Sequence, residues 1–152
     1  MIFRPLGYDD LLWFVETRNS VRDMLHNPTE FSIDDAIEWF PTATSKYWII
    51  VLEGASVGYF RITETSPQKV LIGADISPIF QGKRIATIAY PRFVEEILIP
   101  SGIKELELRV LKRNVKALGL YRKLGFVVDD ETDTDFHMRV FADNLKTFRF
   151  HQ

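Results

Sequence analysis

The sequence predicts a three-layer α/β sandwich, in which a mixed, mostly antiparallel central sheet is flanked by helices. Three observations point there. A β-branched hairpin occupies the middle of the chain, strands and periodic helical segments alternate after it, and a second hairpin closes the sequence. The 152 residues suit one domain, 1–152, with a sizeable core and no Pro/Gly/Ser-rich linker to divide it.

The elements follow in order. Ile2 to Leu6 reads as a short strand. Asp9 or Asp10 caps a helix whose apolar positions include Leu11, Leu12, Phe14 and Val15. A second helix is expected from about Val21 to Leu25. Ser32 is the expected N-cap of a third, with Asp34 and Asp35 in the first turn, where the helix dipole favours negative charge. That helix carries Ile33, Ile37 and Phe40, and Pro41 stops it.

Tyr47 to Leu52 and Ser56 to Thr63 form a hairpin around Glu53-Gly54-Ala55, and Ser66-Pro67-Gln68 turns the chain into a strand over Lys69–Ile76. A long helix is expected from about Gly82 to Ile99, with Ile85, Ala89, Phe93 and Ile97 recurring every four residues. Pro91 lies inside it. There it removes one hydrogen bond, costs about 3 kcal/mol in an ideal helix, and predicts a kink or an irregular turn. Leu106, Leu108 and Val110 alternate on one strand face, and Asn114 caps a helix that Gly125 ends. Phe126–Asp129 and Phe136–Phe141 make the last hairpin. The acidic run Asp129–Asp135 reads as its solvated connection, since the glycine and closing glutamate of a calcium loop are missing.

Composition narrows the functional classes. Nineteen Lys and Arg stand against 21 Asp and Glu, a net charge of −2, which argues against nucleic acid or an anionic membrane as the main partner. With no cysteine, disulfides, thiolate metal sites and a Cys nucleophile are excluded, and no metal is expected. Met1–Pro5 shows no leader pattern and no apolar stretch approaches the roughly 18–20 residues that span a bilayer, so a cytoplasmic location is expected.

Two segments carry chemistry. Ile76-Ser77-Pro78-Ile79-Phe80-Gln81-Gly82-Lys83-Arg84-Ile85-Ala86 runs from a strand end through a turn into a helix start. Unpaired N–H groups there, with Lys83 and Arg84 beside them, suit an anion, and Gly82 admits close backbone approach. The glycine spacing fits neither a Walker loop nor a dinucleotide fingerprint, and an ordinary strand–turn–helix junction explains the segment equally well. The second segment, Asn114 to Phe126, places Ala117, Tyr121 and Leu124 on one helix face, which a plain amphipathic helix also explains.

Together the two segments resemble the CoA-binding signatures of the GNAT superfamily of N-acetyltransferases. Its pyrophosphate loop, Gln/Arg-x-x-Gly-x-Gly/Ala, reads here Gln81-Gly82-Lys83-Arg84-Ile85-Ala86. Its later signature, Asn-x-x-Ala-x-x-x-Tyr-x-x-x-Gly-Phe, is matched by Asn114, Ala117, Tyr121, Gly125 and Phe126. Arg84 departs from the loop's usual glycine; its side chain either crowds a pyrophosphate or binds it.

The resemblance implies acetyl-CoA as cosubstrate and direct transfer of the acetyl group to an amine, with CoA lying between the fourth and fifth strands. Ile76 would offer backbone groups to the pantetheine arm, and Gln81, Gly82, Lys83, Arg84, Ile85 and Ala86 would hold the pyrophosphate. Asn114 would pin the cofactor's exit, although an N-cap role alone also explains it, and Ala117 and Tyr121 would also contact the cofactor. Tyr121 matches the position of the acid that protonates the departing thiolate. Asp75 is the nearest carboxylate in sequence for a base, with His26 and His137 as weaker candidates.

The N-terminal third would receive the acceptor. Arg18-Asn19, Arg22 and the pair Trp39-Phe40 resemble the branch containing amino-sugar-nucleotide and ribosomal-protein N-terminal acetyltransferases, although Ala36 stands where many members have histidine. Arg18, Asn19 and Arg22 are the substrate-binding candidates, and packing against the sheet is the plain reading of Trp13, Phe14, Trp39 and Phe40. A small-molecule primary amine is expected, with a nucleotide-linked amino sugar as its finer form. A protein N-terminus, or an acyl-CoA-binding module without turnover, are the alternatives. The aromatic-rich hairpins are compatible with a homodimer.

Overall fold

The computed structural model describes residues 1–147 and holds seven strands, hydrogen-bonded in the order β1-β2-β3-β4-β5-β7-β6. They are β1 (Ile2–Pro5), β2 (Lys46–Leu52), β3 (Ala55–Ser66), β4 (Lys69–Ile76), β5 (Glu105–Leu111), β6 (Val127–Glu131) and β7 (Asp135–Phe141). β1–β2, β2–β3, β5–β7 and β6–β7 pair antiparallel, and β4–β5 pairs parallel. The mixed, mostly antiparallel sheet expected from the sequence is present. The helices are α1 (Leu11–Ser20), α2 (Ile33–Trp39), α3 (Ile85–Phe93) and α4 (Val115–Leu124). None is long and apolar enough to cross a membrane.

The chain forms two compact units. One comprises Met1–Ile62 with Ala74–Lys83, the other Thr63–Gly73 with the described residues from Arg84 onward.

In the first unit α1 and α2 build an aromatic core on β2 and β3. Leu11, Phe14, Val15, Ala36, Ile49 and Tyr59 are buried, and Trp13, Phe31, Trp39, Phe40 and Tyr47 pack around them. The packing expected of Trp13, Phe14, Trp39 and Phe40 is what they do. Phe14 is the hub, with ring centroids 4.8 Å from Tyr59, 5.1 Å from Tyr47 and 5.7 Å from Trp39. Ser32 caps α2 in a reciprocal box with Asp35, and the backbone N–H of Ser32 holds the Asp35 carboxyl below its ordinary pKa.

Three expectations need correction here. The helix expected over Val21–Leu25 is a single 3₁₀ turn, Arg22–Met24, because so short a segment ahead of Asn27-Pro28 cannot repay helix nucleation. Asp10 does not cap α1 with its side chain. Its carboxylate accepts the Gly7 N–H and two bonds from Arg4, at 2.8 Å each, and the Arg4 bonds lower its pKa. Ile37 points to solvent while Ala36 is fully buried, so α2 presents a small residue to the core. Leu12 is exposed as well.

In the second unit Tyr90, Phe93, Leu106, Leu108, Leu124 and Met138 are buried almost completely. Leu106, Leu108 and Val110 share the buried face of β5, as their alternation predicts. The long helix begins at Ile85 rather than Gly82, runs through Pro91 to Phe93, and widens into a π turn over Val94–Leu98, where the Ile99 N–H donates to Val94 O at 2.8 Å. The irregularity thus lies just beyond the proline. The π turn takes up one extra residue, so Leu98 is buried where a four-residue repeat would have placed Ile97. Asp129, Asp130 and Glu131 belong to β6, which leaves only residues 132–134 as the hairpin connection.

Candidate active site

The segment after β4 has the backbone an anion cradle needs. A 3₁₀ turn, Pro78–Phe80, leads out of the strand, and the Gln81 side chain donates to Ile76 O at 2.9 Å, tying the loop to the strand end. Gly82 sits at φ +77° and Arg84 at φ +62°, both left-handed. For a residue with a Cβ that conformation costs roughly 1–2 kcal/mol, so Arg84 keeps the path a glycine would take, at some strain. The first-turn N–H groups of α3, at Ile85, Ala86 and Thr87, have no acceptor within the helix. Lys83 and Arg84 are exposed, and Lys83 lies 5.6 Å from the Phe80 ring centre. Alternating left-handed residues that open into a helix suit a phosphate, and the donor set is cationic.

Asp75 lies one residue before the end of β4. Tyr59, on β3, donates its hydroxyl to Asp75 Oδ2 at 2.5 Å. Burial raises the Asp75 pKa above the ordinary carboxylate value; the Tyr59 bond and the nearby charges of Arg61 and Arg18 oppose it. Tyr59 is itself shifted well upward by burial and by the adjacent carboxylate, so its proton stays on the phenol. Tyr47, whose ring lies 5.9 Å from that of Tyr59, is raised by burial too. A cavity of about 320 Å³ opens beside Tyr47, lined also by Leu6, Trp39, Phe40 and Trp48.

Gly58 fixes where Asp75 sits. A Cβ there would stand 2.5 Å from Asp75 O and 2.8 Å from the Ile76 side chain, closer than atoms can approach. The neighbouring Val57 O accepts the Ser77 N–H at 2.9 Å and locks the strand end. Gly58→Ala is therefore expected to cost about 1–3 kcal/mol of stability and to displace Asp75 and Ile76. Thermal unfolding together with steady-state kinetics tests this; an unchanged midpoint and an unchanged kcat would show that β4 has slack.

The predicted acceptor residues are spent on their own unit. Arg18 donates to Thr29 O at 2.8 Å and Asn27 O at 2.9 Å, and lies 5.3 Å from the Phe31 ring centre. Asn19 clasps the backbone of Phe31 through both ends of its amide. Arg22 pairs with Glu30 at 3.4 Å. All three organise the segment 27–31.

In the second unit Asn114 caps α4, its side-chain oxygen accepting the Ala117 N–H at 3.3 Å. Gly125, at φ +107°, ends that helix. Tyr121 is buried on α4, and its hydroxyl oxygen accepts a hydrogen bond from Tyr90 at 3.2 Å. Of the two candidate histidines, His26 is exposed, and His137 lies between Asp129 and Glu107.

Sequence reasoning missed Tyr59, Gly58 and Tyr90. The signals for Tyr59 and Tyr90 were faint. Period-two alternation puts Tyr59 on the face of Val57, and Tyr90 falls one helical turn after Ala86.

A model of an acetyltransferase (GNAT) domain family matches residues 1–127. The spermidine N(1)-acetyltransferase of Escherichia coli (strain K12) is 27% identical over 141 residues, covering 88% of this chain and 76% of that protein. Among solved structures, a spermidine N-acetyltransferase SpeG chimera from Vibrio cholerae and hSSAT superposes with a TM-score of 0.80 at 18% identity, covering 94% of this chain and 98% of that one. The ribosomal-protein-alanine N-acetyltransferase from Brucella melitensis gives 0.76 at 15% identity, covering 93% and 99%. At these identities the structural matches speak for the fold.

Proposed function

Since the chain belongs to the GNAT acetyltransferase family, we propose that it acetylates a small aliphatic primary amine, with polyamines the first class to test. It is an acetyl-CoA-dependent N-acetyltransferase; the proposal concerns the acceptor and the residues that act. The observation that carries it is Asp75, a carboxylate with a raised pKa that accepts the Tyr59 hydroxyl, in the unit expected to receive the acceptor.

The loop from Gln81 to Ala86 holds the pyrophosphate through backbone N–H groups, with Lys83 and Arg84 neutralising charge. Ile76 offers backbone groups to the pantetheine arm, and Asn114 and Ala117 flank the cofactor's exit at the start of α4. An alkylammonium has a pKa near about 10 and must lose a proton before it attacks. Asp75 takes that proton, directly or through water. The positive charges of Arg18 and Arg61 favour the neutral amine over the ammonium. The amine nitrogen then bonds to the thioester carbonyl carbon, the C–S bond breaks, Tyr121 gives its proton to the departing sulfur, and the nitrogen releases its second proton to solvent to leave the neutral amide. Solvent restores the proton of Tyr121 and accepts the one held by Asp75.

A nucleotide-linked amino sugar is the less supported acceptor. Arg18 and Arg22, which would meet its phosphates, are engaged by Asn27, Thr29 and Glu30. The 27% identical spermidine acetyltransferase supports an acyclic amine instead. Turnover within the cytoplasm fits the supply of acetyl-CoA.

Two measurements test the reading. Acetyl-CoA and CoA at about 100 times their dissociation constants should stabilise the fold by roughly 2.7 kcal/mol and raise the unfolding midpoint by several degrees, whereas ATP should not. A panel of spermidine, spermine, diamines, a nucleotide-linked amino sugar and a peptide with a free N-terminus should then give thiol release with the polyamines or diamines. Release with the peptide alone would replace this proposal with protein N-terminal acetylation. Stabilisation by acetyl-CoA without turnover on any amine would favour a binding module.

A further inference from the structure

We infer that Tyr90 is a positioning residue for the acid step, holding the Tyr121 hydroxyl through a donated hydrogen bond; this rests on Tyr121 acting as the acid. The two tyrosines come from different helices, α3 and α4, 31 residues apart. Tyr90 is fully buried, Tyr121 is 8% exposed, and their hydroxyls meet at 3.2 Å with Tyr90 as donor. The rings lie edge to face, centroids 5.7 Å apart at 82°, and Phe126 braces Tyr121 from another side at 5.7 Å. Two packed rings and one hydroxyl contact therefore fix where the Tyr121 oxygen sits.

The chemistry gives that donor a purpose. When the C–S bond breaks, the electron pair goes to sulfur and the Tyr121 proton follows it, leaving negative charge on the Tyr121 oxygen. The Tyr90 O–H already points at that oxygen, so the charge forms against a donor in place, and nothing reorganises during the step. A buried hydrogen bond to a forming anion is stronger than one between neutral groups. The other titratable side chains of α4, Lys116, Arg122 and Lys123, occupy exposed positions. Tyr90 is thus the donor from α3 that the Tyr121 oxygen meets.

Tyr90→Phe tests this because it keeps the ring and deletes the hydroxyl alone. We expect kcat to fall about three- to tenfold, with the acetyl-CoA dissociation constant unchanged. The alkaline limb of the kcat profile, where Tyr121 must still hold its proton, should move to higher pH, since the variant no longer stabilises the deprotonated form. A purely structural role would lower the unfolding midpoint and leave that limb in place. Wild-type kcat and an unmoved limb in Tyr90→Phe, with Tyr121→Phe impaired, would overturn the inference alone. Wild-type kcat in Tyr121→Phe would overturn the acid assignment and the inference with it.

Discussion

Tyr121→Phe is expected to lower kcat by about 10²–10⁴-fold, the range a positioned general acid supplies, while the acetyl-CoA dissociation constant should stay within a few-fold of the parent. The structure separates these two quantities. The Tyr121 ring packs against Tyr90 and Phe126, and phenylalanine keeps both contacts. The lost group is one hydroxyl, which accepts from Tyr90. Stability should therefore fall by about 1–3 kcal/mol, since the buried Tyr90 hydroxyl loses this acceptor. Equal falls in kcat and kcat/KM would mark a group whose interaction matters only in the transition state. A fall in acetyl-CoA affinity with kcat intact would make Tyr121 a cofactor-packing residue.

The parts of the fold that were legible in the sequence are those governed by short-range rules. Leu106, Leu108 and Val110 alternate because β5 buries one face, and Asn114 and Gly125 bracket α4 because each satisfies its terminus locally. What failed depended on packing. Ile37 looks like a core residue by spacing, yet close packing against α1 admits only Ala36. The π turn after Pro91 moved the buried position from Ile97 to Leu98, an offset that a fixed period cannot anticipate.

The site divides the same way. Gln81 to Ala86 and Asn114 to Phe126 are continuous segments, and their spacing carries the motif. The Asp75–Tyr59 and Tyr121–Tyr90 pairs join residues 16 and 31 apart, through strand pairing in one case and helix packing in the other. No local pattern encodes either. Arg84 shows a third case: the sequence reveals a departure from glycine, and only the backbone shows that the left-handed conformation survives it.

Ala36 follows the same packing logic. A histidine there would have to enter a fully buried position among Leu11, Phe14 and Val15. Space for it would require α2 to stand further from α1. The aromatic core of this unit therefore admits no polar ring at position 36, whereas the Asp75–Tyr59 pair is a polar contact it does hold.

Asp75→Asn separates function from stability most sharply. Burial raises the folded-state pKa of Asp75 above its unfolded value of about 3.9. Between those two values the folded chain holds a proton that the unfolded chain has released. Stability therefore falls as pH rises through that window, and above it the ionised carboxylate weakens the fold. Asparagine keeps the shape and an acceptor for the Tyr59 hydroxyl but carries no charge. Its unfolding midpoint at neutral pH should be higher than the parent's, and this advantage should vanish at acid pH, where Asp75 is protonated in both states. Activity should move the other way: as the base, Asp75 must be ionised, so its loss should lower kcat about 10²–10⁴-fold and remove the acidic limb of the rate profile. Unfolding curves and rates measured across pH on both proteins decide the matter. A variant that is both less stable and less active would make Asp75 a structural partner of Tyr59, and one that is more stable and fully active would hand the base to solvent. A more stable and inactive variant identifies a charge kept in the fold for chemistry, at a site where the fold itself would be better off without it.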